Sequence, residues 1–325
     1  MNKSFPVFIA GCGRSGTTYL RTIIDAHPDI FIPTESLFLS DYLKYSRYVP
    51  KKILSYLFFN EPQLNSWYTG PIFNIENISN AITKIHLHAA NIKGSKIWGQ
   101  KTPRFVRDIE LFNKHFDNNI KWILIYRDPR AVFASMLKSK RHTYSVFKAC
   151  KRWIRDNKPI VDILQHHEAK DNFLIIQYES FVNNLEFFLE KIFDYLDVLP
   201  ITIPEIKRKG TTPTLKGSRF EIITVREGLE PQKKFIDTWK KSLTPNQISQ
   251  IETICFKEMK ILGYTPISFP NVSKKYFFRK QYQFSIKDLL IFFEYIHKWP
   301  QYLFHTAIRK ITFSFFYQIQ KVRGK

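Results

Sequence analysis

The sequence predicts an α/β fold of three layers, a central parallel sheet with helices on both faces. Three observations carry that prediction. Short apolar runs at Phe5–Ala10, Lys121–Tyr126 and Phe173–Tyr178 have strand length, and the second is apolar throughout its middle, as in strands buried on both faces. Helical patterns follow each of these runs, and strands alternating with helices build parallel sheets. The first run passes into its helix through a glycine-rich turn, Gly11-Cys-Gly-Arg-Ser-Gly-Thr-Thr18.

Taken in order, Phe5-Pro-Val-Phe-Ile-Ala10 is a short buried strand ending at the glycine turn. Thr17–Ala26 is a helix with Tyr19, Leu20, Ile23 and Ile24 on one face, stopped by His27-Pro28-Asp29. Ile30–Ile32 and Lys96–Trp98 predict two further short strands. After Lys121–Tyr126, Asp128 and Pro129 mark a helix start as N-cap and first helical residue. Phe173–Tyr178 leads into a helix around Phe181–Leu196. Thr244–Leu262 is a well-marked helix, with Thr244 as cap, Pro245 in the first turn and Gly263 just past the end. Residues 40–95 are irregular and aromatic and predict an inserted, mainly helical segment over the sheet, within one domain spanning residues 1–265.

Composition narrows the partners. The 325 residues are 44% hydrophobic and 24% charged, the balance of a folded chain. Cys12, Cys150 and Cys255 have no metal or redox spacing and suggest a reducing, cytoplasmic setting. Met1–Ala10 is too short for a signal-peptide core, and no apolar stretch is long enough to cross a bilayer. The net charge of +22 calls for an anionic partner. From Pro266 onward there are eleven Lys or Arg against Asp288 and Glu294, and ten of the thirty phenylalanines. Residues 266–325 therefore predict a basic, aromatic helical extension. Its stretch Phe284–Phe304 has the mixture of an interfacial helix, which allows peripheral membrane contact, although packing on the main domain is equally open. No nucleic-acid-binding module accompanies the charge.

The glycine-rich turn carries the first functional signal. Between a strand and a helix N-terminus, Gly11, Gly13 and Gly16 let the backbone N–H groups approach a phosphate, and Ser15, Thr17 and Thr18 add hydroxyls. Gly11 to Gly16 has the spacing of the nucleotide-triphosphate loop, so the fold is expected to be P-loop nucleotide-hydrolase-like. Yet Thr17 stands where that loop has lysine, and the positive charge has moved to Arg14. No strand-terminal aspartate is evident for Mg²⁺. The loop is poorly suited to ATP hydrolysis, and no metal is expected.

Two motifs together resemble the sulfotransferase superfamily. Pro6-Val-Phe-Ile-Ala-Gly-Cys-Gly-Arg-Ser-Gly-Thr-Thr-Tyr-Leu20 is similar to its 5'-phosphosulfate loop, and Tyr126-Arg-Asp-Pro-Arg-Ala-Val-Phe-Ala-Ser135 to its 3'-phosphate motif. The likeness continues weakly through Gln177–Phe181 and Trp239–Pro245 to Tyr264, leaving the tail outside it. It implies PAPS (3'-phosphoadenosine 5'-phosphosulfate) as sulfuryl donor, with Arg127 and Ser135 gripping the 3'-phosphate. Independently, Arg127 ends a strand and offers a fork of donors suited to phosphate. Ala131 and Ala134 are small enough to let a ligand approach their helix. The alternative for Arg127 is a plain ion pair with Asp128.

Sulfuryl transfer needs an in-line nucleophile, stabilised charge on the leaving oxygens and a base for the acceptor's proton. Arg14 can stabilise the leaving oxygen. At the carboxyl ends of the strands, Glu35 is the best-placed base. The stretch Asp25–Glu35 also resembles the equivalent segment of tyrosylprotein sulfotransferases, where a glutamate at this point is the base. Gln100-Lys-Thr-Pro103 resembles a segment of glycan sulfotransferases, which implies contact of Lys101 with the sulfuryl group or acceptor; a solvated loop lysine is equally open. His86, His88 and His142 are competing bases. Lys233 and Lys234 either close over the donor or remain solvated, and Trp239 reads as core. The acceptor implied is a hydroxyl of a glycan or glycolipid, with a peptide tyrosine as alternative. A P-loop small-molecule kinase and a non-catalytic membrane- or polyanion-binding protein are the rivals.

Overall fold

The computed structural model describes residues 5–138, 145–166, 171–209, 232–268 and 300–323. Five strands form one parallel sheet: β1 (Val7–Gly11), β2 (Ile30–Phe31), β3 (Ile97–Lys101), β4 (Lys121–Tyr126) and β5 (Phe173–Gln177), in the order β2-β3-β1-β4-β5. The chain leaves β1 towards one edge and later returns to fill the other. The carboxyl ends of β1, β3 and β4 therefore flank a topological switch point, where open parallel sheets hold their ligands.

Strand alternation sorts the core into two layers. Phe8, Ala10, Trp122 and Leu124 face one side, and Val7, Ile9, Ile123 and Ile125 the other. The second side is covered by helices α1 (Thr17–Asp25), α8 (Tyr178–Asn183) and α9 (Leu185–Tyr195). The first side carries α2 (Leu39–Tyr45), α3 (Lys51–Phe59), α4 (Ile78–Lys93), α5 (Ile109–His115), α6 (Pro129–Lys138), α7 (Val146–Gln165) and, after α10 (Ile203–Lys209) and α11 (Thr238–Ser242), α12 (Pro245–Ile261). Phe8 centres this layer, its ring 5.0 Å from Phe112 and 5.2 Å from Trp122.

Several expectations hold in detail. The segment 40–95 is mainly helical, as α2, α3 and α4. Asp128 caps α6 by accepting the Arg130 N–H at 2.8 Å. Thr244 caps α12 in a reciprocal capping box with Gln247, and Gly263 follows at φ +80°.

Two expectations are corrected. The strand expected at Lys96–Trp98 continues through Gly99 and Gln100 to Lys101, because those polar side chains find buried partners and Gly99 lets β1 come close. The single helix around Phe181–Leu196 is two, broken at Asn184, whose backbone is non-helical.

The extension supplies α13 (Pro300–Arg323), which packs on the 40–95 segment. Arg309 donates to Glu61 and, at 3.0 Å, to Asp41, while Phe313 stands edge-on to Tyr42 at 5.1 Å. Most of Phe284–Phe304 lies outside the described residues. Among the described residues no helix is long and apolar enough to cross a membrane.

Candidate active site

The loop between β1 and α1 is shaped by steric limits. A Cβ on Gly11 would sit 2.1 Å from the Ile125 carbonyl oxygen of β4, so no side chain is tolerated. Gly16 caps α1 at φ +91°, and a Cβ there would meet the Tyr178 ring at 2.5 Å. Arg14 also takes a left-handed conformation, φ +74°. For a non-glycine residue this costs on the order of 1 kcal/mol, and the Arg14 side chain is exposed. Ser15 and Thr17 are buried, and Gly13 lies against the Arg152 guanidinium of α7.

Arg14 joins the two sequence motifs. Its Nε donates to Ser135 Oγ at 3.0 Å, and its carbonyl accepts from Arg127 at 3.2 Å. Arg127 is buried, stacks on the Tyr178 ring at 4.2 Å and donates to the Phe235 carbonyl at 2.7 Å. Trp153 Nε1 holds the Arg127 carbonyl at 2.9 Å. The plain ion pair with Asp128 does not form. Asp128 pairs instead with Arg130, at 2.7 Å, and Arg130 runs on to Glu252 at 2.6 Å and covers Trp239 at 4.2 Å. Trp239 is thus core, as expected. Ala131 and Ala134 are buried in the core as well, so it is Ser135, half-buried, that represents this helix at the site.

At the ends of β2 and β3 a second cluster forms. Lys101, the last residue of β3, is fully buried, and its Nζ lies 2.7 Å from Glu35 Oε1 and 3.3 Å from Thr18 Oγ1. The solvated reading of Lys101 is therefore overturned: the carboxylate and hydroxyl set against it help make a buried ammonium tolerable. Glu35 keeps 29% of its side chain open to solvent. Its backbone is pinned on both sides, by Gln100 Nε2 on the Thr34 carbonyl at 3.0 Å and by Thr102 Oγ1 accepting the Ser36 N–H at 3.0 Å.

His86 and His88 take other places. His86 is enclosed by Trp67 and Trp98, with Nδ1 2.7 Å from the Ile82 carbonyl and Nε2 3.1 Å from Gln100 Oε1. Burial pulls its pKa down to about 4, so it is a neutral core side chain, not a base. His88 packs on Tyr68, 5.7 Å between rings. His142, the Lys234 side chain and residues 226–231 lie outside the described residues. Lys233 is exposed.

Tyr178 reads in the sequence as a strand end without a site role, yet it separates Gly16 from Arg127, and the Phe235 carbonyl has no sequence signal. Arg152 had a visible sign, the basic spacing of Lys148, Lys151, Arg152 and Arg155 along one helix face.

The donor set suits a ligand phosphorylated at both ends. A glycine cradle closed to any Cβ and an arginine fork lie on neighbouring strands. Two buried polar atoms, Ser15 Oγ and Arg127 Nε, have no protein partner. The kinase alternative fails on the same geometry, since Thr17 occupies the lysine position and is buried.

Comparison with known proteins agrees. The model of the Sulfotransferase family matches residues 6–200. A "Putative protein-tyrosine sulfotransferase" of Caenorhabditis briggsae is 23% identical over 273 residues, 82% of this chain and 92% of that protein. Protein-tyrosine sulfotransferase A of Caenorhabditis elegans is 27% identical over 211 residues, and there this chain spans about half (51%) of the relative. Carbohydrate sulfotransferase 2 of Mus musculus is 26% identical over 116 residues, 35% of this chain and 20% of the relative. In fold, the chain is similar to the sulfotransferase domain from the curacin biosynthetic pathway, with TM-score 0.55 and 17% identity over 82% of this chain and 99% of that one. With both sequence motifs meeting at Arg14 and a family match spanning all five strands of the sheet, the chain belongs to the Sulfotransferase family, whose reaction draws its sulfuryl group from PAPS.

Proposed function

We propose that the protein sulfates a hydroxyl of a carbohydrate acceptor, a glycan or glycolipid, with Glu35 as the base. The observation that carries the base assignment is the Glu35–Lys101–Thr18 cluster. One carboxylate reaches solvent, stands at the carboxyl end of the sheet and is linked through Lys101 to the first residues after the phosphate loop. When bound, PAPS supplies an activated sulfuryl group on a phosphate leaving group. The residues that would hold its 5' end are the backbone of Gly11–Thr18 with Ser15, Thr17 and Thr18. Those for its 3' end are Arg127 and Ser135.

Each side chain then has a task. Glu35 removes the proton from the acceptor hydroxyl, for which general-base catalysis supplies about 10²–10⁴-fold. Lys101 orients the Glu35 carboxylate and brings positive charge to Thr18, beside the loop where negative charge grows during transfer. Arg14, tied to Ser135, adds charge at the leaving oxygen. The base is not assigned to His86, because that ring is sequestered in the core.

The acceptor reading rests on the Gln100-Lys-Thr-Pro103 likeness and on the carbohydrate relative. A tyrosyl acceptor is the second reading, favoured by the longer matches to protein-tyrosine sulfotransferases. Transfer of labelled sulfate from PAPS into saccharides, glycolipids and tyrosyl peptides separates them. Label in peptides alone would overturn the carbohydrate reading. Near-normal turnover by Glu35→Gln would remove Glu35 as base, whichever acceptor is used.

A further inference from the structure

Helix α13 has two faces of different character. The inner one is tied down by Arg309 on Asp41 and Glu61, and by Phe313 on Tyr42. The outer one carries Phe304, Ile308, Ile311, Phe315 and Val322, all between 38% and 74% exposed. At 3.6 residues per turn these five fall within an arc of about 60° and run for about 27 Å along the axis. Scattered apolar residues on a surface are ordinary, but a continuous apolar stripe marks an interaction face. The stripe is not needed to seat the helix, since the opposite side already does so.

Charge selects the occupant. From Pro300 to Arg323 the helix has no Asp or Glu, and its buried Arg309 is matched by carboxylates of the 40–95 segment. Lys310 and Lys321 are exposed and lie to one side of the stripe, about 100–120° round the helix. A second copy of the chain would bring the same positive flank and a second net charge of +22 against the first. An anionic bilayer supplies both an apolar layer for the stripe and negative charge for the flank. We infer that the outer face of α13 is a docking surface for anionic lipid bilayers, holding the enzyme parallel to a membrane. The inference does not depend on the acceptor's identity.

The test is co-sedimentation of the full chain with phosphatidylcholine vesicles, with and without phosphatidylserine. The wild type is expected to bind the anionic vesicles and to be released by salt. Phe304→Ser/Ile311→Ser/Phe315→Ser should weaken partitioning at least about tenfold, because three buried apolar side chains are lost, while PAP affinity stays unchanged. Lys310→Glu/Lys321→Glu, which leaves the apolar stripe intact, should weaken binding to anionic vesicles only. Equal binding by wild type and both variants, or no binding by the wild type, overturns the inference. A wild-type dimer that becomes monomeric in the triple variant, without vesicle binding, assigns the stripe to a second copy instead.

Discussion

Arg14 Nε donates to Ser135 Oγ across 3.0 Å, although 121 residues separate them in the chain. The same Arg14 presents its carbonyl to Arg127, so the loop after β1 and the turn after β4 are one structure. Neither half can keep its place if the other moves.

Arg127→Lys should therefore lower affinity for PAP by at least about tenfold, because a point charge cannot replace a planar fork. Arg14→Ala should cost a similar factor. Isothermal titration calorimetry measures both, and wild-type affinity in either variant would take that residue out of the nucleotide site.

The Glu35–Lys101 pair is asymmetric in burial, and its two truncations should differ. Glu35→Ala takes the carboxylate from a fully buried ammonium, whereas Lys101→Met leaves a carboxylate that water can already reach. Glu35→Ala is expected to be the more destabilising, on the order of 3 kcal/mol. Urea unfolding of the two variants checks the order, and the reverse order would mean that Lys101 is not the desolvated member.

Gly16→Ala combines a left-handed φ of +91° with a contact of 2.5 Å to the Tyr178 ring. Backbone strain alone should cost about 1–3 kcal/mol. In a Tyr178→Ala background, which removes the clash but not the dihedral, Gly16→Ala should lower the melting temperature by less than it does in the wild type, but still measurably. No effect in that background would show that the conformation of Gly16 is not required.

His86 links stability to pH. Its pKa is about 4 in the folded protein, against an ordinary value of 6.5, because burial penalises the charged ring. The folded state thus holds the neutral form, and the unfolded chain binds the extra proton first. Stability from this group is complete above about pH 6.5 and is lost as pH falls towards 4, by roughly 3 kcal/mol in all. His86→Gln should flatten that part of the profile in urea titrations. An unchanged slope would place the acid sensitivity elsewhere.

What could be read locally was legible in the sequence. The glycine loop, the apolar run of β4, the Asp128 cap and the capping box at Thr244 each depend on residues within one turn or strand, and all appear in the structure. Glu35 and Lys101 were legible as candidates, but not as partners. For Lys101 a sulfuryl or acceptor contact and a solvated loop lysine are equally open in the sequence, because its polarity hides a strand end whose buried ammonium is met by Glu35, 66 positions away.

The chain order by itself determined an α/β protein with a glycine-rich turn after one strand and a capped helix start after another, since backbone sterics and short-range hydrogen bonds set those features. Tertiary structure alone decided that Arg127 turns from Asp128 to Arg14 and Phe235, that His86 is sealed between tryptophans, and that α13 leaves an apolar stripe outside. Those outcomes depend on desolvation and on partners brought together from distant segments, and no window of sequence contains both members of such a pair.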